Sequence, residues 1–97
     1  MTERPAGRVK LSGYLDIPKE RLASVIVALP IHSELTRLEP GCIEFDVSQS
    51  ATVEGRLLVS ELFEDQAAFE AHQKRTAASA WAEITAGIPR HYEVTEE

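Results

Sequence analysis

Apolar and polar residues alternate from Val9 to Leu15, where Val9, Leu11, Gly13 and Leu15 interleave with Lys10, Ser12 and Tyr14. That period of two predicts a β-strand. The period then lengthens: Leu22, Val25, Ile26 and Leu29 recur at i, i+3, i+4 and i+7, the stripe of an amphipathic helix over 18–29. Asp16 is the expected N-cap, and Pro18 and Glu20 suit a first turn whose N–H groups lack backbone partners. Pro30 removes one helical hydrogen bond and biases Leu29 away from helical geometry, which predicts a break. A second helical piece follows in a new phase, with Ile31, Leu35 and Leu38 as its apolar face. Glu39, Pro40 and Gly41 supply the stop and turn.

Alternation returns at 42–48, where Ile43, Phe45 and Val47 interleave with Glu44, Asp46 and Ser48. Gln49 to Gly55 reads as a polar hairpin connection, and Arg56 to Phe63 as the partner strand. In that strand Leu57, Val59 and Phe63 share one face while Leu58 and Leu62 lie on the other, so both faces need cover. Asp65 caps a further helix that Gly87 and Pro89 end, and Tyr92 and Val94 mark a last strand. The order is βαββαβ. It predicts an α+β, ferredoxin-like fold: a four-stranded antiparallel sheet with helices on one face, its first and third strands central. The apolar second face of strand 56–63 predicts a two-fold homodimer whose sheets pack together in a barrel-like centre. Residues 1–7 are expected to form a flexible N-terminal segment and 8–97 a single domain.

Composition narrows the function. The 97 residues are 43% hydrophobic and 27% charged, ordinary globular values that argue against disorder or a disulfide miniprotein. Ten Lys and Arg against sixteen Asp and Glu leave a net charge of -6, which disfavours nucleic-acid and anionic-membrane partners. The longest apolar stretch, Ala23 to Ile31, is interrupted by Pro30 and falls far short of the roughly 20 residues that span a bilayer. The N-terminus has no signal-peptide pattern. Cys42 stands alone, so no internal disulfide forms and a reducing cytoplasm is the expected compartment.

Neither a phosphate-cradling nor a dinucleotide-binding glycine pattern is present, and His32, His72 and His91 lack a helical metal-ligand spacing. No metal or cofactor is expected. The informative feature is the third helical segment, where Phe69, His72, Thr76 and Ala80 follow one stripe with Ser79 beside them. Pure packing favours Leu or Ile at positions 72 and 76, because a buried polar group costs free energy unless a partner satisfies it. His, Thr and Ser on that seam point to a cavity between helix and sheet; the plainer alternative has His72 bonded to a carbonyl or to Glu61 and closing the core. Glu61 is a charge in the row of Leu57, Val59 and Phe63, available to a histidine or arginine, or else half-exposed at a strand end. His32 reads as a surface histidine, or as part of the cavity mouth if the Pro30 break opens there. Trp81 falls off the His72 stripe, which marks a change of helix direction or packing elsewhere. Arg37 and Arg75 read as solvated.

Three segments carry a family resemblance. L-T-R-L-E-P-G-C-I-E-F at 35–45, S-E-L-F-E-D-Q-A-A-F-E-A-H-Q at 60–73 and R-T-A-A-S-A-W at 75–81 resemble the antibiotic biosynthesis monooxygenase-like family, quinol monooxygenase type, a family of dimeric α+β barrels. The resemblance extends over residues 8–95. It implies a cofactor-independent oxygenase that takes a small electron-rich aromatic (a hydroquinone, naphthol or anthrone) and O2. It makes His72 the catalytic base, with Thr76 and Ser79 positioning oxygen, and Phe45, Phe69 and Trp81 as apolar walls beside His32 and Glu61. The chain departs from many relatives at Phe63, where they carry Trp, and at Ser12, Gly13 and Tyr14, where some oxygenases carry Asn. These departures weigh against the haem-degrading members in particular; a non-catalytic binding protein and a carbonyl isomerase or lyase are further alternatives.

Overall fold

The computed structural model describes residues 7–96, so all but the last residue of the expected N-terminal segment lies outside the described residues. Four strands, β1 (Val9–Asp16), β2 (Cys42–Gln49), β3 (Arg56–Phe63) and β4 (Arg90–Glu96), pair antiparallel in the order β2-β3-β1-β4. The first and third strands are therefore central, as right-handed crossovers require. Three helices join them: α1 (Lys19–Arg37), α2 (Gln66–Ala77) and α3 (Ala80–Ile84). The arrangement is the ferredoxin-like α+β fold.

The odd-numbered residues of β1 and β3 face the helices. Leu15, Leu57 and Val25 of α1 form one core cluster with Trp81 and Ile88, and Val9, Leu11, Val59, Phe63 and Phe69 form a second. Each fully buried Leu or Phe contributes about 1.5–3 kcal/mol through removal of apolar surface from water. In β2 the strict alternation breaks at a bulge between Cys42 and Glu44, so Phe45 and Val47 turn inward while Ile43 stays exposed.

Helix α1 corrects three expectations. Pro30 lies inside one continuous helix and does not end it. The phase set by Val25 and Leu29 therefore runs on through His32 and Thr36, at spacings of three and four residues, and both are buried together with Ser33. The expected second apolar face is turned outward: Ile31 is 63% and Leu38 77% exposed, and Leu35 is exposed beside them. Asp16 does not cap the helix either. Pro18 occupies the N-cap position, and the Asp16 carboxylate instead pairs with Arg56 across β1 and β3 at 2.7 Å.

The helix expected to run on to Gly87 is divided. Asp65 caps α2 as expected, accepting a hydrogen bond from the Ala68 N–H at 2.8 Å. After Ala77 the chain turns through Ala78 and Ser79 and restarts as α3. That break is the first of the two alternatives that the off-stripe position of Trp81 left open, a change of helix direction.

Candidate active site

Helix α2 presents Phe69, His72 and Thr76 to the sheet. Phe69 packs on Phe63 at 5.7 Å between ring centroids, and the His72 ring lies 4.9 Å from Phe63 and 5.9 Å from Phe45. Helix α3 brings Trp81 onto the His32 ring of α1, stacked at 4.6 Å with 2° between the planes. Between these helices and β1, β3 and β4 lies a cavity of about 350 Å3, bordered by Glu61, Phe69, His72, Thr76, Trp81 and Tyr92, with His32 at its α1 side. That size is within the range of small-molecule pockets.

Six of the eight expected site residues line this one cavity: His32, Glu61, Phe69, His72, Thr76 and Trp81. Phe45 sits behind it, edge-on to His32 at 5.4 Å. Ser79 does not enter it. Its hydroxyl donates to the Thr76 carbonyl at 2.6 Å, closing the end of α2, and it borders a separate apolar groove between α1 and α3. His32 is buried because the unbroken α1 carries it inward, which corrects its reading as a surface histidine.

Sequence reasoning missed Glu39. The turn after α1 places Gly41 at φ 85, where a Cβ would press on Ala68, and the Glu64 N–H donates to the Gly41 carbonyl at 2.8 Å. This glycine-dependent approach seats Glu39 against α2. His72 Nδ1 and Glu39 Oε1 are 2.8 Å apart, and the Arg75 Nε–H donates to the other Glu39 oxygen. Arg75 also donates to Thr36 Oγ1 at 3.1 Å, so it is a paired residue and not the solvated one expected. With Glu39 as acceptor, Nδ1 carries the hydrogen and Nε2 keeps a lone pair. That lone pair faces Glu61, whose Oε1 is 3.6 Å away, beyond hydrogen-bond distance. The expected Glu61 partnership is thus a close approach, and the firm partner is Glu39. The residue was legible only as part of the E-P-G-C turn, 33 residues before the histidine it holds.

Burial governs the protonation of the site. It pushes the Glu61 carboxyl up to about 7, with the Glu39 charge adding to the effect. It draws His32 down to about 4, helped by His72 and Arg75. It also lowers His72 from 6.5, against the upward pull of Glu39. Near neutral pH the cavity therefore holds two uncharged imidazoles and a carboxyl that keeps its proton into the neutral range. Glu61 Oε1 and Thr76 Oγ1 are buried without a hydrogen-bond partner among the described residues. Unsatisfied polar atoms in a cavity wall are the groups that a ligand would satisfy.

The ferredoxin-like sheet and a helix-to-sheet cavity define a class of small α+β proteins. The family model described as "Antibiotic biosynthesis monooxygenase" matches residues 8–84, and the chain belongs to that family. It is similar in fold to the "Putative antibiotic biosynthesis monooxygenase" of Nitrosomonas europaea, with a TM-score of 0.77 and 18% identity over 100% of this chain and 93% of that one. It is also similar to MupZ of Pseudomonas fluorescens (TM-score 0.76, 21% identity, 97% and 72% covered) and to Rv0793 of Mycobacterium tuberculosis (0.72, 20%, 91% and 92%). No curated protein matches the sequence. Family and neighbours support a monooxygenase at the family level. No helix among the described residues is long and apolar enough to cross a membrane.

Proposed function

We propose that the protein is a cofactor-independent monooxygenase that oxidises a small electron-rich aromatic, of the hydroquinone, naphthol or anthrone class, with O2. The observation that carries this reading is the His72 imidazole, held by Glu39 through Nδ1 with its Nε2 lone pair toward an aromatic-walled cavity. A deprotonated hydroxyarene is itself a good one-electron reductant of oxygen. The protein then has three tasks: to seat the ring, to accept its proton and to exclude water while oxygen combines with it. Phe69 and Trp81 supply the walls for the ring, with Phe45 behind, and Thr76 Oγ1 offers a hydrogen bond to a ligand oxygen. His72, uncharged near neutrality, is the general base. The working unit in this reading is a cytoplasmic homodimer formed through the open face of the sheet, a reading supported by the exposed Leu58 and the lone Cys42.

The test is oxygen consumption by metal-stripped protein against a panel of hydroquinones, naphthols and anthrones. Turnover should survive chelator, and His72→Ala should lower it about 10²–10⁴-fold, the usual contribution of a general base. Uptake at the spontaneous rate across the panel would instead favour a non-catalytic binding protein. Undiminished turnover in His72→Ala would remove the base assignment.

A further inference from the structure

Glu61 stands in the helix-facing row of β3 between Val59 and Phe63 and is only 7% exposed. Its Oε1 has no hydrogen-bond partner among the described residues and lies 3.6 Å from His72 Nε2. An ionised carboxylate facing an imidazole lone pair at that distance is repelled, and burial of both groups strengthens that repulsion. One proton between them removes the repulsion. Because Glu39 already fixes the hydrogen on Nδ1, that proton resides on Glu61 or on Nε2. Burial favours the arrangement without charges, a carboxylic acid beside a neutral imidazole, which is the reverse of their order in water.

The surrounding charges leave this arrangement in place. Behind His72 stand Glu39 and Arg75, with His32 from α1, Cys42 from β2, and Tyr92 and Arg90 from β4 completing the shell. Both arginines are engaged elsewhere: Arg75 with Glu39 and Thr36, Arg90 with the Thr85 and Ile88 carbonyls and the Thr85 hydroxyl. Among the described residues no cation pairs with the Glu61 carboxyl.

We propose, as a deepening that rests on the oxygenase reading above, that Glu61 is a second catalytic residue: the general acid that pairs with the His72 base and protonates the oxygen that leaves when the O–O bond breaks. His72 Nε2 first takes the substrate hydroxyl proton. The anion passes one electron to O2, and the radical pair combines at the para ring carbon to form a C–O bond. His72 returns its proton to the terminal oxygen, giving a hydroperoxide. The C–H bond at the same carbon then breaks, and its electron pair forms the C=O bond as the O–O bond opens. The departing hydroxide takes the Glu61 proton and leaves as water, and the C–H proton restores Glu61. For a substrate with hydrogen at the para carbon, such as 1-naphthol or anthrone in its enol form, hydroxyarene and O2 thus become quinone and water, with both residues returned to their starting state.

The experiment compares the full chain with its Glu61→Gln variant, using 1-naphthol and anthrone as probes and following oxygen uptake, quinone and hydroperoxide separately. Glutamine keeps the shape and lacks the acidic proton. Uptake by the variant should continue while its quinone yield falls at least about tenfold and hydroperoxide accumulates, within the range of a lost general acid. In the wild type the ratio of quinone to hydroperoxide should fall as pH rises through about 7. Independently of turnover, infrared spectra of the wild type at about pH 6, where ordinary carboxyls are ionised, should show a protonated carboxyl band that Glu61→Gln removes. Quinone formed by the variant in wild-type proportion, or a wild type without that band, would overturn the acid role and leave the oxygenase reading standing. Absence of uptake by the wild type with both probes and with the hydroquinones of the panel would overturn the oxygenase reading and the acid role with it.

Discussion

At the scale of single residues, the site combines buried titrations of opposite sign, Glu61 raised and His32 and His72 lowered. Glu61 is raised from 4.5 to about 7, so the folded state holds a proton that the unfolded chain releases. Its contribution is fully present below pH 4.5 and is lost as pH rises through about 7. His32 is lowered from 6.5 to about 4, so its contribution is present above 6.5 and is lost as pH falls through about 4. The two oppose one another through the weakly acidic range, where the lowered His72 acts in the direction of His32 against Glu61. Urea unfolding of the wild type should therefore show a shallow pH dependence there. Glu61→Gln should expose a loss of stability on acidification, and His32→Phe a gain. Profiles unchanged by either substitution would place the buried titrations elsewhere. His72, Glu61 and Thr76 were legible in the sequence because a polar side chain interrupts an otherwise apolar row. His32 was legible only as a cavity-mouth residue that presumed an opening at Pro30, and Glu39 was not. The burial of His32 depends on helix phase beyond a proline, and the role of Glu39 depends on a contact far along the chain.

Secondary-structure elements show why that phase was misread. A proline inside a helix removes a hydrogen bond and crowds the carbonyl four residues earlier, here that of Ile26. Those local penalties do not decide the outcome, because α1 is held along its length by Val25 against the sheet and by His32 and Thr36 against the α2–α3 layer. Tertiary packing outweighs propensity. Pro30→Ala should accordingly raise stability by about 1–3 kcal/mol, read as a higher urea midpoint, with the far-ultraviolet helix signal unchanged. A lower midpoint would show that the ring itself packs in a way that α1 needs. The strands were read correctly to within a residue or two because alternation over a half-buried sheet leaves little freedom of register. The β2 bulge escaped, since one extra residue disturbs a period of two only locally.

For the whole molecule, one sheet face is covered by helices, and the other carries Leu58, 45% exposed, on a central strand. The proposed homodimer covers that face. Sedimentation at micromolar concentration should give twice the chain mass, and Leu58→Asp should shift it toward monomer by placing a charge in an apolar contact. A wild-type monomer would remove the dimer. The open face was foreseeable from strand 56–63 through Leu58, which stands where a solvated strand would carry a polar residue, whereas Leu62 is buried within the chain. The stacking of Trp81 on His32 has a different consequence. Trp81 is the only indole in the chain, and it forms a wall of the cavity itself. Its emission therefore reports on this one location, without background from any other tryptophan. An aromatic guest, a proton on His32 and a loosening of α3 each change the surroundings of the same fluorophore, so the protein carries a built-in optical gauge of its own cavity.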